Sequence, residues 1–400
     1  DPWFILLDGR LRFCGNATTG WFWGGKLGDS GKVGETRRLD FTVRFEGGPS
    51  AQAPPLDVSG KGKLAEDVSS IAAPSREEGP PLLIPAVKKA RWGKGVFAIT
   101  AKTPIVVRNR PDPENLRPAL DLRAAIQKLS GLRLRIREAR QVGRADGAIV
   151  LGEPKASPLV AERAGGACPD RPEGYFLSVS SKGVVIAGRD PAGTYWGVQT
   201  LLQLLRPAED GIEAPAVTIT DWPDFPLRAA HLCIMGHDLG FVTRMVTEFL
   251  PCYKFNAVIL EMESIRWDSH PELAPDGPTP AEMGRLAALA RERFIEPIPQ
   301  IQSGGHCDYF LFRNGQHRDL AENPEAPYNY CPSNPDTYKL FFDLYGEVEK
   351  HMRPKYFHIG HDELNNDYGI CPRCKGKTPA ELFAADVTKL RDWWAERGVP

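Results

Sequence analysis

The sequence predicts an α/β chain: the first four strand-helix units of a (β/α)8 TIM-type barrel, preceded by a small α+β domain and a β-rich amino-terminal segment. Three observations carry this. From Arg228 onward, four nearly unbroken apolar runs, "LRAAHLCIM", "NAVILEM", "EPIPQIQ" and "KYFHIG", alternate with helical stretches. Strands that are apolar on both faces and joined by helices imply a parallel sheet. Spacings of roughly thirty to sixty residues, with long loops after the strand ends, favour a barrel over a doubly wound sheet. Upstream, hairpin-like and helical segments mix as in an α+β fold. After "TPAELFAADVTKLRDWWAERGVP" the chain stops where a fifth strand is expected. The simplest expectation is therefore an excerpt of a longer protein, and a complete four-strand open sheet is the rival.

Residues 1–48 read as strands and turns. "WFILLDGRLRF" has a Gly-centred turn, and "RRLDFTVRFEG" alternates apolar and polar residues as a half-buried strand does. Residues 49–94, poor in aromatics and rich in Pro, Gly and Ser, read as a linker or long loop. Order resumes over 95–221. "GVFAIT" and "TPIVV" are short strands, and the helix "ENLRPALDLRAAIQKLSG" carries Leu116, Leu120, Ala124, Ile126 and Leu129 before its stop at Gly131. Strands follow at "LRLRIRE" and "GAIVLGE", then a hairpin in "GYFLSVSSKGVVIAGRD", then the helix "PAGTYWGVQTLLQLL" opening on proline. Residues 222–400 hold the barrel units, with helices "GFVTRMVTEFLPCYK", "TPAEMGRLAALARERF" and "NPDTYKLFFDLYGEVEKHM" between the strands.

Fifty basic residues balance fifty-one acidic ones with no long run of either sign, which leaves no electrostatic footprint for nucleic acid or an anionic membrane. A neutral or weakly charged small substrate fits better. No stretch approaches the roughly eighteen apolar residues of a membrane span. The amino terminus shows no signal-peptide pattern, although processing or truncation would remove one. Eight cysteines in 400 residues are too sparse for a disulfide scaffold. Cys233 and Cys252 read as small buried hydrophobes, and "NATT" at Asn16 is a formal glycosylation acceptor.

The stretch "FHIGHDEL" ends the fourth apolar run, so Asp362 and Glu363 stand at the carboxyl end of a strand, the face where barrel enzymes keep their chemistry. The plain alternative is a charged strand terminus entering solvent. Adjacent residues on a regular strand point to opposite faces, so one pocket receives both carboxylates only if the strand has begun to curl. Gly360 permits that bend. Glycoside hydrolysis ordinarily places its two carboxylates about 5–9.5 Å apart on either side of the bond. Sequence neighbours suit instead a substrate that supplies its own nucleophile: one carboxylate orients a 2-acetamido group and the other protonates the leaving oxygen.

"YFHIGHDEL" resembles the His-x-Gly-Gly-Asp-Glu signature of glycoside hydrolase family 20, the β-N-acetylhexosaminidases, with His361 in place of the second glycine. "ITDWPDFPLR", "YKFNAVILEM" and "IPQIQSGGH" are similar to that family's approach to the barrel and its second and third strands, and "VVIAGRDPAGTYWGVQTLLQLL" to the end of the preceding domain. The resemblance implies removal of N-acetylhexosamine residues from glycans by a substrate-assisted retaining mechanism, with no cofactor and no metal. It implies that Asp362 orients the acetamido group and Glu363 serves as general acid, then base. Glu363 then needs a raised pKa, from an apolar pocket and the neighbouring anion. Arg228 would grip sugar hydroxyls, and His306 and His358 would bind substrate or support the site. A secreted or periplasmic location is implied too. Departures occur at Cys233, where the family carries aspartate, and at Glu261 and Ser264, where it carries histidine and then aspartate.

Two rivals stand beside this reading. One is a carbohydrate-binding relative that has lost activity, which the substitutions on the first two strands would suit. The other is a metal-dependent hydrolase using His358, His361 and Asp362, weakened by the absence of a third histidine at ligand spacing. "CPRCKGK" gives Cys371 and Cys374 zinc-knuckle spacing, with Cys307 and Cys331 on the preceding loop. Without a second pair, the expectation is free thiols or a local disulfide, on a surface loop away from catalysis.

Overall fold

The structure is a computed structural model that describes residues 3–7, 10–14, 81–142, 145–208, 211–234, 239–313 and 316–400. It divides into two compact units, Asp1–Glu77 and Glu78–Pro400. In the first, β1 (Trp3–Leu7) and β2 (Arg10–Cys14) pair antiparallel with Leu7 opposite Arg10. The expected strand "RRLDFTVRFEG", most of the expected linker and Asn16 lie outside the described residues.

The second unit begins with a mixed eight-stranded sheet. Its strands are β3 (Lys89–Ile99), β4 (Ile105–Val107), β5 (Ile136–Glu138), β6 (Ala148–Gly152), β7 (Tyr175–Ser180), β8 (Gly183–Gly188), β9 (Arg206–Ala208) and β10 (Gly211–Asp221), ordered β3-β10-β7-β8-β6-β4-β5 with β9 beside β10. β7 and β8 form the expected hairpin about Ser181 and Lys182. The strand at residue 89 starts inside the segment read as linker, because β3 is recruited by the antiparallel partner β10. Helices α1 (Pro113–Ser130), α2 (Pro158–Ala164) and α3 (Pro191–Leu204) cover the sheet. Asp112 caps α1 by accepting the Asn115 N–H, and Gly131 ends it at φ 74°. Part of the apolar stripe lies one position off the expected one, with Leu116, Leu120 and Ala124 turned aside and Ile126 buried as expected. Ala119, Leu122 and Ile126 enter the core, whereas Leu129 is 62% exposed.

Four strands follow: β11 (Ala229–Cys233), β12 (Ala257–Glu261), β13 (Glu296–Ser303) and β14 (His358–Gly360), all parallel and in sequence order. The connections hold α4 (Leu239–Arg244), which passes through a π turn into α5 (Leu250–Cys252), then α6 (Pro280–Arg291), the short α7 (Asp308–Leu311) and α8 (Pro335–Met352); α9 (Pro379–Ala395) closes the chain. Thr279 with Glu282, and Thr378 with Glu381, form capping boxes that fix where α6 and α9 begin. Leu232, Val258, Leu260 and Ile301 are buried on the helix-covered face, while Ala229, His231 and His358 on the other face are exposed. Among the described residues, helices cover one side of this sheet, while the other carries the buried Gln300 and Gln302 beside the exposed His231 and His358.

The two halves of this unit are joined through buried polar contacts. Lys254 Nζ donates to Asp221 (3.0 Å) and to the Tyr175 hydroxyl (2.9 Å), and Tyr175 donates to the same carboxylate (2.8 Å). Removing the cation leaves a buried carboxylate without its partner. Lys254→Met is expected to cost about 3–5 kcal/mol, read as a lowered melting midpoint; an unchanged melt would show that water already reaches the pair.

Candidate active site

Asp362 and Glu363 follow directly on β14, at the carboxyl edge of the parallel sheet. The chain does curl there. Gly360, His361 and Glu363 have φ of 72°, 77° and 49°, so the backbone enters the left-handed region three times in four residues. That rotation frees two neighbouring carboxylates from the opposed directions a strand would impose. Gly360 is needed twice over, since a Cβ there would lie 2.2 Å from Gln302 Oε1. Gly360→Ala is expected to lose about 1–3 kcal/mol and to push Gln302 aside; a melt matching the wild type would refute this close approach.

Each carboxylate has its own partner. Gln302, buried near the end of β13, donates from Nε2 to Asp362 Oδ1 at 2.5 Å, and its Oε1 accepts from Gln300 Nε2 at 3.1 Å. The chain Gln300–Gln302–Asp362 thus fixes one carboxylate from below. Glu363 Oε2 lies 2.9 Å from His306 Nε2, and its side chain is 74% exposed. The apolar enclosure expected around Glu363 is not supplied by the described residues. Tyr328 packs edge-on against His306, with ring centroids 5.0 Å apart. Its phenol is pushed up to about 12, first by burial and then by the charges of Glu363 and Asp362.

His361 turns away from its neighbours. The Ser303 hydroxyl donates to the Ile359 carbonyl (2.6 Å), so it accepts from His361 Nδ1 (2.7 Å), and the ring meets Phe383 edge-on. Burial pushes this imidazole down to about 4 and keeps it neutral. Where the resemblance has glycine, His361 adopts the backbone conformation glycine favours and offsets the strain through these contacts. His358 Nδ1 accepts the Gly360 N–H at 3.0 Å, and burial lowers its pKa. His358, His361 and Asp362 therefore do not converge, and no described metal-ligand cluster contains them.

Arg228 is not brought to this group. It precedes β11 and so lies at the amino edge of the sheet, where it pairs with Glu173 and donates to the carbonyls of Lys254 (2.7 Å) and Phe225 (2.9 Å). Glu173 also accepts from Trp196 and Asn256, so this guanidinium joins the α+β domain to the sheet. At the carboxyl edge, Glu261 accepts from Cys233 (2.9 Å) and lies 3.2 Å from His231 Nε2. The half-buried neighbour Glu263 is raised by burial and by the Glu261 charge, while His231 holds Glu261 down.

The cysteines depart furthest from expectation. Cys371 and Cys374 are buried, not on a surface loop, and gather with Cys331 and Glu322 beside Tyr368 and Leu382. Cys307 is buried apart from them, its thiol facing the carbonyls of Gln302, Gly304 and Gly305.

An α+β domain leading into a parallel strand-helix sheet, with paired carboxylates at its carboxyl edge, is the architecture of a multidomain glycoside hydrolase. The chain belongs to glycosyl hydrolase family 20: that family's domain 2 matches residues 80–222 and its catalytic domain residues 268–399. The fold is accordingly α/β, with a catalytic domain of the TIM-barrel type. A lacto-N-biosidase of Bifidobacterium bifidum is 27% identical over 243 residues, covering 56% of this chain and 22% of that protein. A beta-hexosaminidase of Porphyromonas gingivalis is 28% identical over 245 residues, 52% of this chain and 31% of that protein. The chain thus spans under a third of the length of these two relatives. Among solved structures, the Streptomyces plicatus N-acetyl-beta-hexosaminidase in complex with Thio-NAglucal superposes with a TM-score of 0.61 at 26% identity, covering 79% of this chain and 64% of that one. The GH20 beta-N-acetylhexosaminidase of Streptomyces coelicolor gives 0.62 at 24% identity, over 80% and 66%.

Sequence reasoning did not reach Gln300, Gln302, Ser303 or Tyr328. The first three sit in "QIQS", where polar residues inside an apolar strand were a usable signal. Tyr328, in a long loop, left none.

Proposed function

We propose that the protein removes N-acetylhexosamine residues from glycoconjugates or oligosaccharides by a substrate-assisted, retaining mechanism. The observation that carries this reading is the separate tethering of two adjacent carboxylates, Asp362 from beneath by Gln302 and Glu363 at the open edge by His306. A carboxylate held rigidly by a buried amide suits orientation of an acetamido N–H and stabilisation of an oxazolinium-like cation. A carboxylate at the rim, beside a histidine, suits protonation of the leaving oxygen and then activation of water. His306, with Tyr328 behind it, would orient Glu363, and His358 would face substrate from the uncovered side of the sheet.

The four-stranded sheet is then the first half of an eightfold barrel. Its support is the sequential parallel order and the side that no described helix covers, where His231 and His358 are exposed. In that arrangement the remaining strands would enclose Glu363 and supply the pocket for the N-acetyl group.

The test is hydrolysis of a chromogenic N-acetyl-β-glucosaminide by the full-length protein, with the anomeric configuration of the first product read by NMR. Release of the β-anomer is expected. Saturable binding of the glycoside without turnover would favour the inactive carbohydrate-binding relative, and the α-anomer would exclude retention.

A further inference from the structure

We propose that Glu322, Cys331, Cys371 and Cys374 hold a structural zinc ion that clips together the two loops carrying the carboxylate site. The four residues come from two places. A short antiparallel bridge between Ala321 and Tyr330, with the Cys331 N–H donating to the Leu320 carbonyl (2.7 Å) and the Glu322 N–H to Asn329 (3.0 Å), sets Glu322 and Cys331 side by side in the loop after β13. Cys371 and Cys374 flank a tight turn in the loop after β14, where the Cys374 N–H donates to the Cys371 carbonyl at 3.0 Å. The two loops therefore contribute two ligands each.

The distances fit a metal better than a disulfide. Cys331 Sγ lies 3.3 Å from Cys371 Sγ and 3.6 Å from Cys374 Sγ, and the four ligand atoms all lie within 4.8 Å of one another. A disulfide needs about 2.05 Å. Tetrahedral zinc, with bonds of about 2.3 Å to sulfur and 2.0–2.2 Å to oxygen, sets its ligands roughly 3.5–3.8 Å apart. Two contacts must open, and the 3.3 Å between Cys331 Sγ and Cys371 Sγ is the smaller adjustment. Cys374 Sγ and Glu322 Oε1 stand 2.7 Å apart, so a central ion would move them apart by about 0.8 Å on that geometry.

Charge argues the same way. Glu322 is 3% exposed, and among the described residues no Lys, Arg or His is ion-paired with it. A buried carboxylate without a cation is costly unless it coordinates a metal. Its other oxygen, Oε2, accepts the Cys371 N–H at 2.8 Å, the kind of outer hydrogen bond that aims a ligating oxygen inward. Three sulfurs and one oxygen, all from protein and all buried, make a closed site, which belongs to structural zinc and leaves no position for substrate. The loops it would join bear His306 and Tyr328 on one side and Asp362 and Glu363 on the other. Asn323 donating to Asp367 at 2.9 Å already stitches them once nearby.

Metal content tests this independently of any glycosidase activity. Protein purified under reducing conditions from zinc-supplemented cells is expected to carry one zinc per chain by elemental analysis. Cys374→Ser should lose it and Cys307→Ser, outside the cluster, should keep it. Cobalt added to chelator-stripped wild type should give intense thiolate-to-metal absorption, a measurement that needs no variant to fold. Stripping the ion should lower the melting midpoint by roughly 5–10 °C, reversibly on zinc addition. Substoichiometric zinc with no cobalt-thiolate band, or a disulfide between two of the three cysteines in the freshly isolated protein, would overturn the assignment.

Discussion

In the full-length protein, Glu363→Gln is expected to slow a substrate with a sugar leaving group by about 10²- to 10⁴-fold while sparing one whose leaving group is a nitrophenolate. The amide cannot give a proton to the departing oxygen. A sugar alkoxide is too basic to leave without that proton, whereas a nitrophenolate needs little help. The exposure of Glu363 and its contact with His306 fit a group that must both deliver a proton outward and recover it from water. The measurement is kcat/KM for the two substrates with wild type and variant. Equal slowing of both would remove Glu363 from the acid role, and the carboxylate would then have to act in ring closure.

The four apolar runs announced the parallel sheet because strands of α/β folds have little polar sequence to confuse them, and "FHIGHDEL" pointed to a candidate site through its place at the end of such a run and its likeness to the His-x-Gly-Gly-Asp-Glu signature. What the sequence hid lies in long-range pairing. Arg228 looked available for sugar because its partner Glu173 is 55 residues upstream, in the other domain. Cys371 and Cys374 looked like an isolated pair because Cys331 reaches them from 40 residues away across a loop bridge that no local pattern encodes. The curl after β14 was inferred only as a requirement on the chain, and the left-handed turns at His361 and Glu363 that produce it were not, since neither residue type declares a positive φ. On α1 the error was one of phase. Asn115 and Pro118, polar or helix-breaking on paper, are buried, so the inward face turned by about one position from the stripe that leucines alone suggested.

Asp362→Asn should behave differently from Glu363→Gln, slowing both substrates by about 10²–10³-fold, the range seen when one oriented electrostatic partner of a transition state is lost. If the acetamido oxygen attacks the anomeric carbon, its new bond forms as the bond to the leaving group breaks and that oxygen departs with the electron pair, so every leaving group depends on ring closure. A good leaving group therefore offers no escape. Gln302 sharpens the expectation, because its Nε2 donates to Asp362 Oδ1 and will equally hold the asparagine oxygen in place. The variant then changes charge with little change of position, and the loss reports on electrostatics and on the acetamido N–H that asparagine's NH2 no longer accepts from. A thiazoline analogue of the cyclised intermediate should inhibit wild type tightly and lose affinity for Asp362→Asn in proportion to the lost kcat/KM, as a mimic of the reacting state does. Undiminished thiazoline binding, or a stable glycosyl ester trapped on either carboxylate, would require a different nucleophile and a different division of labour between Asp362 and Glu363.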